Sequence, residues 1–225
     1  MTKQTFLMIQ NYMQSCMGDS AHDTEHIRRV LYNALEIAAL EKDVDYDVLI
    51  TACLLHDIGR QEQFKDPSVC HAEAGAQKAY VFLNENGFPE SFSRKVHHCI
   101  LTHRFRKSRQ PESLEAKILF DADKLDVTGA IGIARTLMYK GDQTEPLYLR
   151  LPNGEVSDGS HDNVSSFFRE YKFKLEKLYD RFYTARGAEL ALSRRASAEA
   201  FYSSLYQEVC FGQNAAQKAL DALLG

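Results

Sequence analysis

The segment 52-ACLLHDIGR-60 places a histidine and an aspartate side by side, directly after an unbroken apolar run. Burying an imidazole or a carboxylate is costly unless the group gains a hydrogen bond or a counter-charge. His56 continues an i, i+3, i+4, i+7 apolar face that begins at Leu49, which predicts that the imidazole points into the core. Gly59 indicates that the helix ends close by. His56 and Asp57 are therefore predicted to lie at a buried helix end, where they need a partner.

The composition limits the class of protein. Of the 225 residues, 44% are hydrophobic and 26% are charged, which provides enough apolar side chains for a sizeable core. A net charge of −4 gives no basis for non-specific nucleic-acid binding, although a small anionic ligand is compatible with it. We see no secretory signal and no apolar run of bilayer length, so we expect a cytoplasmic protein without a membrane or nucleic-acid partner. The oligomeric state is left open.

Helical spacing of apolar residues dominates the chain, and only five prolines interrupt it, which predicts an all-α fold. The helices are predicted at residues 4–17, 24–41, 46–58, 71–86, 90–104, 112–140, 162–186 and 188–211, with a short one at the end. We see no second composition that would mark a second domain. The chain is therefore expected to be one domain over 1–225, with a catalytic core at about 20–140 and the helices of 162–225 packed on it.

The segment 141–161 differs from the rest, because it holds two of the prolines and three of the glycines. Alternating residues from Leu147 to Leu151 and the dipeptide Asn153-Gly154 are typical of a hairpin. We therefore expect a long loop or a short β-ribbon inserted between helices.

Three more histidines occupy apolar helix faces like that of His56. His26 lies four residues before Val30, His71 opens a helix, and His103 continues an apolar face after Ile100. Any one of them alone is best explained as a hydrogen-bonded core residue. Four imidazoles from four helices, all directed inward, form a far more specific pattern.

Aspartates complete this pattern in 120-FDADKLDVTGAIGIA-134. Asp121 shares a helix face with Ile118 and Leu125, whereas Asp123 shares one with Phe120 and Val127, so periodicity does not choose between them. Burying several imidazoles and carboxylates together is costly unless their lone pairs share a cation. Mixed nitrogen and oxygen ligands suit a divalent ion such as manganese, iron, cobalt, nickel or zinc.

These histidines and aspartates occur in an order that resembles a known family. The order of a histidine in 26-HIRRV-30, the pair 56-HD-57 and an aspartate in 122-ADKLD-126 resembles the HD-domain superfamily of metal-dependent phosphohydrolases. Further stretches resemble the bacterial YedJ/YpgQ-like HD hydrolases, so that the resemblance covers most of the chain. These stretches are 22-HDTEHIRRV-30, 52-ACLLHDIGR-60, 71-HAEAGA-76, 100-ILTHRF-105, 119-LFDADKLDVTGAIGIAR-135 and 175–209. The fold implied is an HD-domain helical bundle.

The resemblance implies a ligand set. It assigns metal ligation to four residues: His26, His56, Asp57 and Asp123. It favours Asp123 over Asp121, because the family ligand follows the alanine of an A-D-x-L run. His71 and His103 match positions that hold a second metal in some HD proteins, with Asp57 bridging. One-metal and two-metal sites both remain open, and the metal expected is manganese, cobalt, nickel, iron or magnesium.

The implied reaction is hydrolysis of a nucleotide, most simply of a nucleoside triphosphate to the monophosphate and pyrophosphate. A bound metal would lower the pKa of its water so that hydroxide attacks phosphorus. Cationic groups must then neutralise the phosphate. The candidates are Arg60, Lys124, Arg104 and Arg106, while Asp57, His71, His103 and Lys124 are the candidate catalytic residues.

Arg60 departs from the family pattern, because several HD hydrolases have a glutamate three residues after the HD aspartate. Glu62, a second metal or the metal-activated water alone would have to replace that glutamate. Two alternative functions stay open: another HD nucleotidase or dinucleotide polyphosphate hydrolase, and a nucleotide- or metal-binding regulator without turnover.

Overall fold

The computed structural model describes residues 1–17, 21–104 and 109–225, with the backbone alone at 21–23 and 213–215. Within these residues the chain forms ten α-helices and one 3-10 turn and no β-strand, which confirms the all-α prediction. The helices are α1 (Lys3–Met17), α2 (Ala21–Ala38), α3 (Tyr46–Leu55), α4 (Arg60–Lys65), α5 (His71–Glu85), α6 (Glu90–Thr102), α7 (Leu114–Leu125), α8 (Gly129–Asp142), α9 (Phe167–Phe173) and α10 (Ala185–Leu224). The 3-10 turn is Leu175–Lys177.

The fold divides into two compact units. The first unit comprises Met1–Asp126 and Phe182–Gly187, and the second comprises Val127–Arg181 and Ala188–Gly225. The expectation of one domain with its C-terminal helices packed on the catalytic core stays a prediction.

Helix α3 is the centre of the first unit. Asp45 caps its N-terminus by accepting a hydrogen bond from the Val48 amide at 3.2 Å, which satisfies one of the unpaired amides of the first turn. Seven of its ten residues are buried, and it packs against α1, α2, α5, α6 and α7. A helix that is apolar on all sides needs neighbours on all sides. The end of α3, where His56 and Asp57 follow, is therefore surrounded by protein.

Two glycines allow α5 to approach this helix end closely. A Cβ on Gly59 would lie 2.2 Å from the His71 carbonyl oxygen and 2.5 Å from the Gly75 amide nitrogen. Only a residue without a side chain fits at this distance from another backbone. Gly59 therefore sets how near His71, the first residue of α5, comes to His56 and Asp57.

The structure differs from the predicted helices at four places. The six-residue helix α4 was not predicted, because it is too short to show a periodic apolar face. The predicted helix 112–140 is interrupted between Leu125 and Gly129: Thr128 is extended, and Gly129 has a φ of +62°. Apolar residues continue on both sides of this break, so periodicity alone does not reveal it.

The C-terminal half holds the other two corrections. The predicted helix 162–186 is helical only in α9 and in the 3-10 turn after it, and α9 begins where the Ser166 side chain accepts a hydrogen bond from the Arg169 amide. The helices predicted at 188–211 and at the end are one continuous helix, α10. It has 40 residues. It contains two glycines but no proline, and the glycines alone do not end the helix.

The segment after α8 forms a loop with a single antiparallel bridge between Arg150 and Val156. Gly154 has a φ of +85° within the turn, and the Leu151 amide donates to the Glu155 carbonyl at 2.8 Å. The Asn153-Gly154 signal thus marks a real turn, although only one residue pair bridges it. None of the described helices is both long and apolar enough to span a bilayer.

We predict that Gly59→Ala lowers the free energy of unfolding by about 3 kcal/mol, because the new methyl group would overlap the backbone of α5. Urea titration followed by circular dichroism measures the change. Gly141→Ala is the matched control, since no described atom outside its own helical turn and chain neighbours lies within 4 Å of its Cβ position. That variant should unfold like the wild type or be up to about 1 kcal/mol more stable. Equal stabilities of the two variants would contradict this account of the contact.

Candidate active site

The imidazole of His56 is held in one tautomer at the end of α3. Its Nδ1 lies 2.8 Å from the Cys53 carbonyl oxygen. A carbonyl can only accept, so Nδ1 carries the proton and Nε2 presents a lone pair. The side chain is fully buried. His56 is therefore arranged like a metal ligand: Nδ1 is hydrogen-bonded to the backbone, and Nε2 is available to a metal.

The other three imidazoles are tied down in the same way. His103 Nδ1 lies 2.6 Å from the Ile100 carbonyl, and His71 Nδ1 lies 2.6 Å from Gln63 Oε1. His26 Nδ1 lies 2.7 Å from Asp126 Oδ2. All four histidines are at most 2% exposed. In each of them Nε2 is thus the atom that faces the centre of the site.

A first group of ligand atoms comes from α2, the end of α3 and α7. His26 Nε2 lies 3.3 Å from His56 Nε2 and 3.3 Å from Asp123 Oδ1, and His56 Nε2 lies 3.8 Å from Asp123 Oδ1. These three atoms are close enough together to hold one metal ion. Two imidazole nitrogens at this distance repel each other unless a proton or a cation lies between them.

The second group is formed by the Asp57 Oδ1 atom and two histidines. His71 Nε2 lies 3.5 Å and His103 Nε2 lies 3.7 Å from Asp57 Oδ1. Asp57 Oδ1 and His71 Nε2 are both buried without a hydrogen-bond partner. Leaving such atoms unpaired costs about 1–3 kcal/mol each. A divalent cation would satisfy both, so the residues of this site fit a metal.

The Asp57 carboxylate connects the two groups. Its Oδ2 atom lies 3.5 Å from His26 Nε2 and 3.7 Å from His56 Nε2, while Oδ1 faces His71 and His103. The Arg60 Nε donates to Oδ2 at 2.8 Å. One carboxylate thus reaches both groups of ligand atoms, which is the geometry needed to bridge two cations.

Shifted pKa values keep most of these groups in the ligand form. Burial lowers the pKa of His56 to about 4, and burial together with Arg60 lowers that of His71 to about 3. Burial alone would raise the pKa of Asp57, but Arg60 and the neighbouring histidines hold it well below its ordinary value. His56, His71 and Asp57 are therefore deprotonated at neutral pH, as metal ligation requires.

His26 is the exception among the histidines. Burial lowers its pKa, but hydrogen bonds to Asp123, Asp126 and Asp57 outweigh that effect and raise the pKa to about 10. A proton on His26 thus neutralises part of the negative charge of three carboxylates. Since a divalent cation would do the same, its binding is expected to displace this proton.

The two aspartates that periodicity did not separate have different partners. Asp123 is 26% exposed and faces His26 and His56. Asp121 is buried, and its carboxylate accepts hydrogen bonds from the Tyr183 amide, the Thr184 amide and the Thr184 hydroxyl at 2.7–3.0 Å. The structure places Asp123 in the first ligand group and makes Asp121 the anchor of the backbone just before α10.

The predicted phosphate-binding cations are placed differently from one another. Arg60 is 45% exposed and contacts Asp57, and Arg104 Nη1 lies 3.5 Å from His71 Nδ1. Both cations therefore border the ligand groups. Lys124 is buried with its ammonium over the rings of Phe120 and Phe182, at 4.5 and 5.3 Å. Arg106 lies outside the described residues.

Glu62, one substitute considered for the missing family glutamate, is engaged elsewhere. Lys78 donates to Glu62 Oε1 at 2.8 Å and to the Ile58 carbonyl at 3.0 Å. Burial raises the pKa of Glu62, but this lysine lowers it below the ordinary value. A carboxylate in an ion pair is a weak base, so the structure gives Glu62 a role in attaching α4 to α5.

Three residues around the site were not singled out from the sequence. Asp126 accepts two hydrogen bonds from Arg29, at 2.7 and 3.0 Å, besides its bond to His26, and Gln63 orients His71. Asp126 belongs to the 122-ADKLD-126 run and lies one turn after Asp123, so its position in that run was a usable signal. Nothing local in the sequence marks Gln63 or Arg29.

Comparison with known proteins places this chain in a family. Residues 24–128 match the family model described as HD domain. The chain is 30% identical to the uncharacterized protein YpgQ of Bacillus subtilis over 207 residues, which cover 89% of this chain and 92% of YpgQ. The crystal structure of YpgQ matches with a TM-score of 0.71 and 27% identity, over 92% of this chain and 96% of YpgQ.

An HD-superfamily hydrolase from Bacillus thuringiensis matches with a TM-score of 0.69 and 26% identity, over 92% of this chain and 97% of the hydrolase. YpgQ has also been crystallised in complex with ADP, and that structure matches with a TM-score of 0.69 and 26% identity, over 91% of this chain and 95% of YpgQ.

The chain belongs to the HD domain family, which confirms the resemblance in 26-HIRRV-30, 56-HD-57 and 122-ADKLD-126. HD domains bind divalent metal ions, and the two ligand groups joined at Asp57 form a cluster that could hold such an ion.

We predict that Asp126→Asn weakens divalent-metal binding about 10- to 100-fold, because the amide loses the charge that keeps His26 oriented and basic. Isothermal titration calorimetry with Mn²⁺ measures the affinity. An affinity equal to that of the wild type would show that the His26–Asp126 contact is structural only.

Asp121→Asn, five residues earlier in the chain, is the matched control. Because an amide supplies a donor where Tyr183 and Thr184 already donate, we expect a loss of about 1–3 kcal/mol in the free energy of unfolding. The Mn²⁺ affinity of the folded variant should remain that of the wild type. A large loss of metal affinity in Asp121→Asn would instead place Asp121 in the metal site.

Proposed function

We propose that the protein is a divalent-metal-dependent phosphohydrolase that cleaves a nucleoside triphosphate to the monophosphate and pyrophosphate. The observation that carries the proposal is the pair of buried ligand groups sharing Asp57, in a chain that belongs to the HD domain family. The nucleotide substrate is supported by the relative YpgQ, which has been crystallised with ADP.

The first metal ion would be held by His26, His56, Asp57 and Asp123. When bound, it supplies a Lewis acid that lowers the pKa of a water molecule and neutralises a phosphate oxygen. Manganese is the ion we expect first, with cobalt, nickel, iron and magnesium as the others that mixed nitrogen and oxygen ligands accept.

Asp57 Oδ1, His71 and His103 form the other side of the site. Either these groups bind a second ion, or His71 and His103 contact the substrate phosphate directly, and counting the bound ions distinguishes the two. Because His71 is neutral at pH 7 and its proton lies on Nδ1, its Nε2 contributes a lone pair to this side, and no positive charge. This form of His71 favours the second ion.

Arg60 and Arg104 supply the positive charge. A guanidinium has five N–H donors, so Arg60 can keep its bond to Asp57 Oδ2 and still contact a phosphate oxygen. Arg104 approaches from the His71 side. We assign Arg106 and Lys124 to the same task, which requires the Lys124 ammonium to move away from the rings of Phe120 and Phe182.

We predict that the purified protein with Mn²⁺ releases pyrophosphate from nucleoside triphosphates, and that EDTA abolishes the reaction. His56→Ala should lower kcat/KM more than about 100-fold. The substitution removes the Nε2 atom that we assign to the metal, and that the bond from Nδ1 to the Cys53 carbonyl holds in place. Release of pyrophosphate and of orthophosphate is measured separately for nucleoside mono-, di- and triphosphates and for dinucleotide polyphosphates.

His97→Ala on α6 is the matched control, because His97 belongs to neither ligand group. It should retain wild-type activity. Orthophosphate release from monophosphates, or cleavage of dinucleotide polyphosphates, would assign the protein to another HD hydrolase activity. Tight nucleotide and metal binding without any turnover would make it a regulator, and activity that survives His56→Ala would refute the metal site as the reaction centre.

A further inference from the structure

Phe64 is unusual in its exposure. It is 88% exposed, and the next large apolar side chain in the described part of the first unit, Leu40, is 68% exposed. Phe64 is also the one apolar residue of α4, whose sequence is RQEQFK. Its ring thus contributes nothing to the core, although a phenylalanine normally gains stability by burial.

Helix α4 is attached to the site at two points. Arg60 donates to Asp57 Oδ2 at 2.8 Å, and Gln63 Oε1 lies 2.6 Å from His71 Nδ1. The ion pair of Glu62 with Lys78 secures the helix to α5. The position of α4 relative to both ligand groups is therefore determined by direct contacts.

The spacing within α4 places the Phe64 ring on the helix face of Arg60. Phe64 follows Arg60 by four residues, so the two side chains lie on the same helix face with their Cβ atoms roughly 6 Å apart. Arg60 reaches the carboxylate that joins the ligand groups. An exposed flat ring thus lies one helical turn from the cation that we assign to the substrate phosphate.

We propose that Phe64 is a stacking platform for the base of the nucleotide whose phosphates bind next to Arg60, at the two ligand groups. This inference rests on the proposed nucleotide substrate and adds where the base binds. A phenylalanine ring has no hydrogen-bonding group, so it stacks on purines and pyrimidines alike and does not select among them. Phe64 is thereby a binding residue that lowers KM and leaves kcat unchanged.

The first test uses the fact that the chain contains no tryptophan. Phe64→Trp introduces a single tryptophan at the proposed platform, and ADP and AMP should quench the tryptophan emission with a saturable concentration dependence. Inorganic tripolyphosphate, which has the charge but no base, should not quench it. The matched control is Phe211→Trp on α10, since Phe211 is 89% exposed and belongs to the second unit.

Saturable quenching in Phe64→Trp alone supports the proposal. Equal responses of the two tryptophan variants to ADP, or no saturable response of either, would overturn it. Because this measurement needs no turnover, it tests the platform even in a protein that hydrolyses nothing.

The second test is kinetic. Phe64→Ala should raise KM for every hydrolysed nucleoside triphosphate about tenfold with kcat unchanged. Phe64→Tyr, which keeps the ring, should restore the wild-type KM. If tripolyphosphate is hydrolysed, its KM should be the same in all three proteins.

The two proposals fail in different ways. A wild-type protein that hydrolyses no nucleotide refutes the proposed function. A wild-type protein that hydrolyses nucleotides with a KM unaffected by Phe64→Ala refutes the stacking platform alone. A loss of kcat in Phe64→Ala, with KM unchanged, would also contradict the platform, because stacking on the base acts far from the reacting phosphorus.

Discussion

The Asp57 carboxylate lies among four imidazoles and under one guanidinium, in a part of the protein from which water is largely excluded. One of its oxygens faces His26 and His56, and the other faces His71 and His103 without any hydrogen-bond partner. This concentration of lone pairs is unfavourable by itself, because each buried polar atom has lost its water. A divalent cation offsets the cost, and the surrounding structure is organised to present lone pairs to it.

A second layer of contacts orients the four imidazoles. Each imidazole has its Nδ1 occupied by a different partner: a backbone carbonyl for His56 and His103, an amide for His71, and a carboxylate for His26. Four separate hydrogen bonds thus have the same result: the Nε2 atom of each histidine points into the site. The close approach of α5 to Gly59 brings the His71 side of the site near enough to share Asp57 with the His26 side.

Much of this site could be predicted from the sequence, because helix periodicity is enough to turn a side chain inward. The face that starts at Leu49 leads to His56, and similar faces lead to the other three histidines. Periodicity could not separate Asp121 from Asp123, since both share faces with apolar residues. The difference lies in what each aspartate meets: the backbone of Tyr183 and Thr184 in one case and His26 in the other, all distant in sequence.

Other features depend on contacts that no local pattern contains. Helix α4 is one and a half turns long and mostly polar, so its role in holding Arg60 and Gln63 becomes visible only with Asp57 and His71 in place. The pairing of Arg29 with Asp126 joins residues 97 positions apart. The break before Gly129 depends on backbone geometry, because the apolar pattern runs through it unchanged.

The most direct test of the central claim is anomalous diffraction from crystals grown with Mn²⁺, recorded at the manganese absorption edge. The account predicts a peak bonded to His26, His56, Asp57 and Asp123, with the Asp57 carboxylate positioned to reach a second peak next to His71 and His103 if two ions bind. Crystals whose only manganese lies elsewhere, with His26 still in direct contact with Asp57 and Asp123, would contradict it.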